Sequence, residues 1–160
     1  MTTSMTSMKM AQDYMMAFNS HDLDKFISFY DNNCTVEDIG VGRTIHGAQE
    51  LKKGWGEFFK GFPDAKMEFK NAVQSGDWMA SEWVMTGTHT GELKGEGNMP
   101  TMAPTNKKVN VKGASFIQIR NNKIVQETDY WNAATFIMQL GMMQGMMQGM
   151  QSERAGMGSM

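Results

Sequence analysis

Lys66-Met67-Glu68-Phe69-Lys70-Asn71-Ala72-Val73-Gln74 places Met67, Phe69 and Val73 on one parity and Lys66, Glu68, Lys70 and Gln74 on the other. Successive side chains of a strand point to opposite faces, so this stretch reads as a half-buried β-strand. Ser75-Gly76-Asp77 supplies a hairpin turn. Trp78 to His89 follows as a second strand, apolar on both faces at Met79, Ala80, Trp83, Val84 and Met85 and therefore central. A third strand alternates Val109, Val111, Ile117 and Ile119 with Lys108, Asn110, Lys112, Gln118 and Arg120. Asn121-Asn122 turns the chain into a fourth, Lys123 to Asn132. Tight turns predict an antiparallel sheet, because parallel neighbours need long crossovers.

Before Pro63 the period is helical. Ala11, Tyr14, Met15 and Phe18 fall at i, i+3, i+4 and i+7, which is one buried helix face. Asn19-Ser20-His21-Asp22 breaks the run, and Asp24 is placed to cap a short second helix carrying Phe26, Ile27 and Tyr30. Asp31-Asn32-Asn33 ends it. A strand at Cys34–Ile39, a loop through Gly40, Gly42 and Gly47, and a helix from Ala48 to Lys60 complete this half. Helices followed by a meander predict an α+β domain whose curved sheet encloses a blind cavity. Gly91 to Asn106 is long and rich in Gly and Pro, and reads either as a lid or as a surface hairpin tip.

At 160 residues the chain matches one domain, and 41% apolar side chains are enough for one core. Fifteen basic residues, dispersed and set against seventeen acidic ones, exclude a nucleic-acid binder of the phosphate-tracking kind. A single cysteine, Cys34, excludes a disulfide framework and a cysteine zinc site. The opening MTTSMTSMKMAQ lacks the apolar run of a signal peptide, which points to the cytoplasm. Of nineteen methionines, six lie in the first sixteen residues and seven in the last nineteen. The chain divides into a flexible Met/Thr/Ser-rich lead (1–7), the domain (8–141) and a Met/Gln/Gly-rich tail (142–160).

Within that tail Gly141-Met142-Met143-Gln144 repeats every four residues, a spacing that packs membrane helices closely. Each repeat carries a glutamine, however, and no Leu, Ile, Val or Phe follows Leu140, which argues against a membrane span. Interior glycines would each cost a helix about 1 kcal/mol. The tail therefore reads as an adaptable segment that docks on a partner subunit or stays disordered. Copper(I) capture by thioethers is the chemical alternative.

Several strings carry a family resemblance. Ala17-Phe18-Asn19-Ser20-His21-Asp22-Leu23-Asp24 resembles the opening motif of the SnoaL-like polyketide cyclases, a branch of the NTF2-like superfamily. Phe62-Pro63-Asp64, Gly87-Thr88-His89-Thr90-Gly91-Glu92, Lys123 to Trp131 and Gln139-Leu140-Gly141 match the same family in order, across about residues 10–141. The resemblance implies a cone-shaped, cystatin-like α+β barrel, usually a homodimer, with an apolar pocket for a small hydrophobic molecule. It implies ring closure by aldol condensation without metal or organic cofactor, and it assigns the acid/base carboxylate to Asp129. Two departures stand out: Pro104-Thr105-Asn106 where relatives read Pro-Thr-Gly, and Ala114-Ser115-Phe116 where the cyclases place a helpful histidine.

The residues themselves support a site on the last strand. Asp129 lies in a strand, where Asp is disfavoured, and shares a face with Val125, Glu127 and Trp131. Turned inward, its carboxyl would be poorly solvated and raised toward neutrality, as a general base requires; turned outward, it is one more solvated charge. Glu127 is a second carboxylate one pleat away, and His46, in a glycine-flanked loop, is a candidate proton-transfer group at the pocket mouth. Trp55, Trp83, Met85, Phe116 and Trp131 are the candidate substrate contacts. The histidines have no metal-ligand spacing. The expectation is a cofactor-independent acid/base catalyst for cyclisation, isomerisation or hydration of a hydrophobic carbonyl compound. The alternatives are a non-catalytic binding module on the same fold and a dimeric scaffold with a Met-rich tail.

Overall fold

The computed structural model describes residues 2–144 together with 148 and 151. The elements run α1 (Thr2–Asn19), α2 (Leu23–Ile27), β1 (Tyr30–Asp38), β2 (Arg43–His46), α3 (Ala48–Gly61), β3 (Lys66–Ser75), β4 (Trp78–Thr88), β5 (Lys108–Arg120), β6 (Lys123–Trp131) and α4 (Ala133–Gln139). The six strands form one curved, unclosed sheet in the order β2-β1-β6-β5-β4-β3. The fold is mixed α+β: α1 lies along β3, α3 packs on α2 and β1, and α4 closes on β5.

Most of the sheet is antiparallel, but β1 and β6 run parallel, pairing Val36 with Glu127 and Asp38 with Asp129. The meander rule considers only consecutive strands, and here the intervening half of the chain serves as the long crossover. Three local readings also change. Tyr30 to Asn33 extend β1 rather than a helix, the glycine-rich loop contains β2, and the cap of α2 is Asp22, whose Oδ1 accepts from Lys25 N–H at 3.0 Å. Residues 2–7, read as a flexible lead, carry the backbone of α1. A register shift between Phe69 and Asn71 leaves Lys70 as an extra residue in β3, which reverses the parity and turns Val73 out to 69% exposure.

Polar clamps hold the elements in place. The Asn19 amide donates to Met67 O (2.9 Å) and accepts from Met67 N–H (2.7 Å), tying the end of α1 to β3. Asp64 accepts from the N–H (2.6 Å) and hydroxyl (2.7 Å) of Thr88. Gln139 brackets Asn110 in the same way, accepting at 2.7 Å and donating at 2.9 Å. His21 stacks on Phe59, with ring centres 4.3 Å apart, and its Nε2 lies 2.6 Å from Ala65 O. The core between helices and sheet includes Phe18, Phe26, Phe62, Leu51, Ile117, Ile124 and Leu140. Met142 and Met143 pack against it; the rest of the repeat tail, apart from 144, 148 and 151, lies outside the described residues. No helix among the described residues is long and apolar enough to cross a membrane.

Candidate active site

Between Gln118↔Gln126 and Ile119↔Ile124 the β5–β6 register skips Val125. That bulge lets Ile124 enter the core and sends Glu127, Asp129 and Trp131 inward. The three line a cavity of about 160 Å³. Tyr14, Tyr30, Trp55, Phe58, Phe69 and Trp83 supply aromatic walls, and Met67, Met85, Met99 and Met102 fill between them. Two glycines make room for the indoles. A methyl group at Gly113 would overlap the Trp83 ring, and one at Gly40 would overlap the Trp131 ring.

Three acids face this hollow from the sheet, while Glu57 and Glu96 line it from α3 and the 91–106 segment. Glu127, 4% exposed, accepts from the Tyr30 hydroxyl at 2.6 Å. Because Tyr30 donates there, its oxygen is left to accept from the Tyr14 hydroxyl at 2.7 Å. Asp129 accepts from the Ser115 hydroxyl, which in turn accepts from Trp83 Nε1–H at 2.9 Å. Asp38, brought in by the parallel register, accepts from Trp131 Nε1–H (2.7 Å) and from Val41 N–H (3.2 Å). Asp129 and Glu127 lie two residues apart on β6, and both line the cavity.

Burial sets the ionisation of all three. Asp129 is pushed well above the ordinary carboxylate range, first by burial and then by the charge on Glu127. Glu127 is raised by burial, with the Tyr30 hydrogen bond opposing. Asp38 is raised by burial, with the Trp131 hydrogen bond opposing. None of the ion pairs among the described residues reaches these acids; Arg43 is held between Glu50 (2.8 Å) and Glu96 (2.7 Å) at the mouth. The described residues contain no group of three or more His, Cys, Asp or Glu arranged to hold a metal.

The segment 91–106 is neither a free tip nor detached from the site. Leu93 and Met102 form a bridge, Gly91 N–H bonds Gly61 O at 3.1 Å, and Asn98 N–H bonds Val41 O at 2.8 Å. Leu93, Lys94, Glu96, Met99, Pro100 and Met102 thereby become one wall of the cavity.

Of the residues singled out by sequence, Asp129, Glu127, Trp55, Trp83, Met85 and Trp131 meet at this cavity. Phe116 does not. It is 51% exposed on the outer face, edge-on to Tyr130 at 6.1 Å. The inward parity of Val109, Val111 and Ile117 already implied that orientation. His46 ends β2 at the exposed surface, where its N–H donates to Glu50 at 3.1 Å, and it does not line the cavity. Sequence reasoning missed Tyr14, Tyr30, Asp38 and Ser115. Tyr14 and Tyr30 read as ordinary helix-face residues, and Asp38 is visible only once β1 is laid beside β6.

Comparison with known proteins adds the family. A family model for the SnoaL-like polyketide cyclases matches residues 8–140. The chain belongs to that family. No curated protein matches it. Among solved structures, the SnoaL-like fold recurs in IdmH from Streptomyces antibioticus, a candidate polyketide cyclase. That likeness has 23% identity and a TM-score of 0.66, covering 83% of this chain and 96% of IdmH. AclR from Streptomyces galilaeus, a candidate hydroxylase, aligns with 22% identity and a TM-score of 0.70 over 83% of this chain and 93% of its own. A Catenulispora acidiphila protein with a ketosteroid isomerase-like fold aligns with 17% identity and a TM-score of 0.68, over 82% of this chain and 92% of its own. The SnoaL-like signature of this chain has two parts: Asn19, Asp64 and Gln139 are clamps, whereas Glu127, Asp129 and Trp131 line the cavity.

Proposed function

We propose that this SnoaL-like protein is a cofactor-independent acid/base catalyst acting on a small hydrophobic carbonyl compound. The observation that carries the reading is the Asp129–Glu127 pair, two carboxyls that line an aromatic cavity and have no ion-pair partner among the described residues. Two buried carboxyls that cannot both ionise provide one acid and one base. Asp129 keeps part of its surface free toward the cavity while Glu127 is almost fully covered, so Asp129 is the group that meets substrate. In its ionised form an Asp129 oxygen takes the proton from a carbon next to a carbonyl, and the C–H electrons move onto the carbonyl oxygen. The resulting enolate attacks a second carbonyl in cyclisation, or is reprotonated at another carbon in isomerisation; the carboxyl pair returns the proton in either case. Apolar walls keep water from quenching the enolate.

The test is hydrogen–deuterium exchange at the acidic C–H of 2-tetralone in deuterated buffer. The wild type should exceed the buffer rate, and Asp129→Asn should lose roughly 10²-fold or more of that acceleration with the fold intact. Binding without exchange would leave only a ligand-holding module.

We also propose a homodimer built on the outer face of the sheet, where Phe116, Tyr130 and Trp78 stand exposed. The family resemblance and this apolar cluster support it.

A further inference from the structure

One row of inward positions crosses four strands. Ser81 of β4 pairs with Ser115 of β5, Ser115 with Asp129 of β6, and Asp129 with Asp38 of β1. Three of the four have their polar atoms engaged: Ser115 between Trp83 and Asp129, Asp129 by Ser115, and Asp38 by Trp131. Ser81 is different. It is 3% exposed and lines the cavity, yet its Oγ has no hydrogen-bond partner among the described residues. Its neighbour across β3 is Ala72, which offers none, and the indole N–H of Trp83 is committed to Ser115. Buried hydroxyls are rarely left unpaired, and such exceptions call for an explanation. Here the open side of the hydroxyl is the cavity itself.

We propose that Ser81 is a ligand-contacting residue that holds a polar oxygen, a hydroxyl or carbonyl, of the substrate, two strands along the cavity wall from Asp129. The inference rests on the proposed function in taking Asp129 as the reactive end. Neighbouring strands lie about 4.8 Å apart, so Ser81 and Asp129, two strands apart, are separated by roughly 10 Å of backbone. The cavity volume of about 160 Å³ is close to that of a cavity of about 150 Å³ known to take benzene. The substrate class is therefore a compact, largely apolar one- or two-ring ketone with a second oxygen function on the side away from its acidic C–H.

Two probes separate the terms: 6-hydroxy-2-tetralone, which carries the remote oxygen, and 2-tetralone, which lacks it. Dissociation constants are read from quenching of tryptophan fluorescence, and exchange from deuterium uptake. The wild type should prefer the hydroxylated probe about five- to tenfold. Ser81→Ala should abolish that preference by weakening the hydroxylated probe alone. Without ligand, the variant should melt no lower than the wild type, since it removes an unpaired buried hydroxyl. Asp129→Asn should keep the preference while losing exchange. Equal affinities in the wild type, a preference that survives Ser81→Ala, or no binding of either probe would each overturn the inference. If the preference follows Ser81 but no exchange occurs in any form, the catalytic reading fails and the Ser81 contact stands.

Discussion

Ser115 and Asp129 are opposite residues of β5 and β6, and the serine hydroxyl donates to the carboxyl while accepting from Trp83 Nε1–H. A hydrogen bond to the charged form lowers a carboxyl's pKa, and this one opposes the rise caused by burial. Ser115 thus acts as a positioning residue, fixing the orientation of Asp129 and holding back its protonation. Ser115→Ala should shift the ionisation that controls exchange upward and reduce the rate at neutral pH, with recovery at higher pH. A pH–rate profile unchanged from wild type would remove Ser115 from that role.

Asp129, Glu127 and Asp38 all hold protons more tightly in the folded chain than in the unfolded one. The folded state therefore binds the extra protons, and their contribution is complete below the unfolded carboxylate pKa near 4 and is lost as pH rises through the elevated folded values. Asp129→Asn removes the most strongly shifted of the three. Urea denaturation should show the variant gaining on the wild type as pH rises above the unfolded carboxylate value, until the folded carboxyl ionises, with the two closest at the acid end. A pH-independent difference would contradict the burial of that charge.

Gly113 sits under the Trp83 indole with no room for a methyl group. Gly113→Ala should cost about 1–3 kcal/mol in urea unfolding, the usual penalty for overpacking a filled site. The displaced indole would also lose its bond to Ser115, so near-ultraviolet circular dichroism of the tryptophans should change with stability. A variant as stable as wild type with an unchanged spectrum would show that Trp83 is loosely held.

Phe116 and Tyr130 touch each other on the outer face, away from the cavity. If that face joins two copies, Phe116→Glu should shift light-scattering mass from dimer to monomer and leave ligand binding intact. A dimer that persists in the double variant with Tyr130→Lys would place the interface elsewhere.

The strands after Pro63 were legible because their polar and apolar residues alternate almost without interruption. Two single-residue irregularities were not. Lys70 and Val125 each reset the parity of a strand, and nothing in their chemistry marks them as bulge residues. Asp129 and Glu127 could be recognised because acids inside an apolar strand are unusual, whereas Asp38 could not, since its relevance depends on a parallel pairing between distant segments. Ser115 and Ser81 are small polar residues of a kind that appears throughout any sheet. Only the cavity, the neighbouring indole and the unpaired hydroxyl distinguish them. Conversely, the strings most visible in sequence, around Asn19 and Asp64, hold the frame together without entering the hollow.

The bond from Tyr30 to Glu127 joins positions 97 residues apart, and that from Trp131 to Asp38 spans 93. Contacts so remote along the polypeptide form late, after nearer ones have already shortened the path between them. During translation, a nascent chain that has not yet released β6 from the ribosome has Asp38 alone, without the carboxyls of Glu127 and Asp129. The acid cluster thus comes together only after β6 has emerged, and a truncated product lacking that strand would hold Asp38 without Glu127 and Asp129.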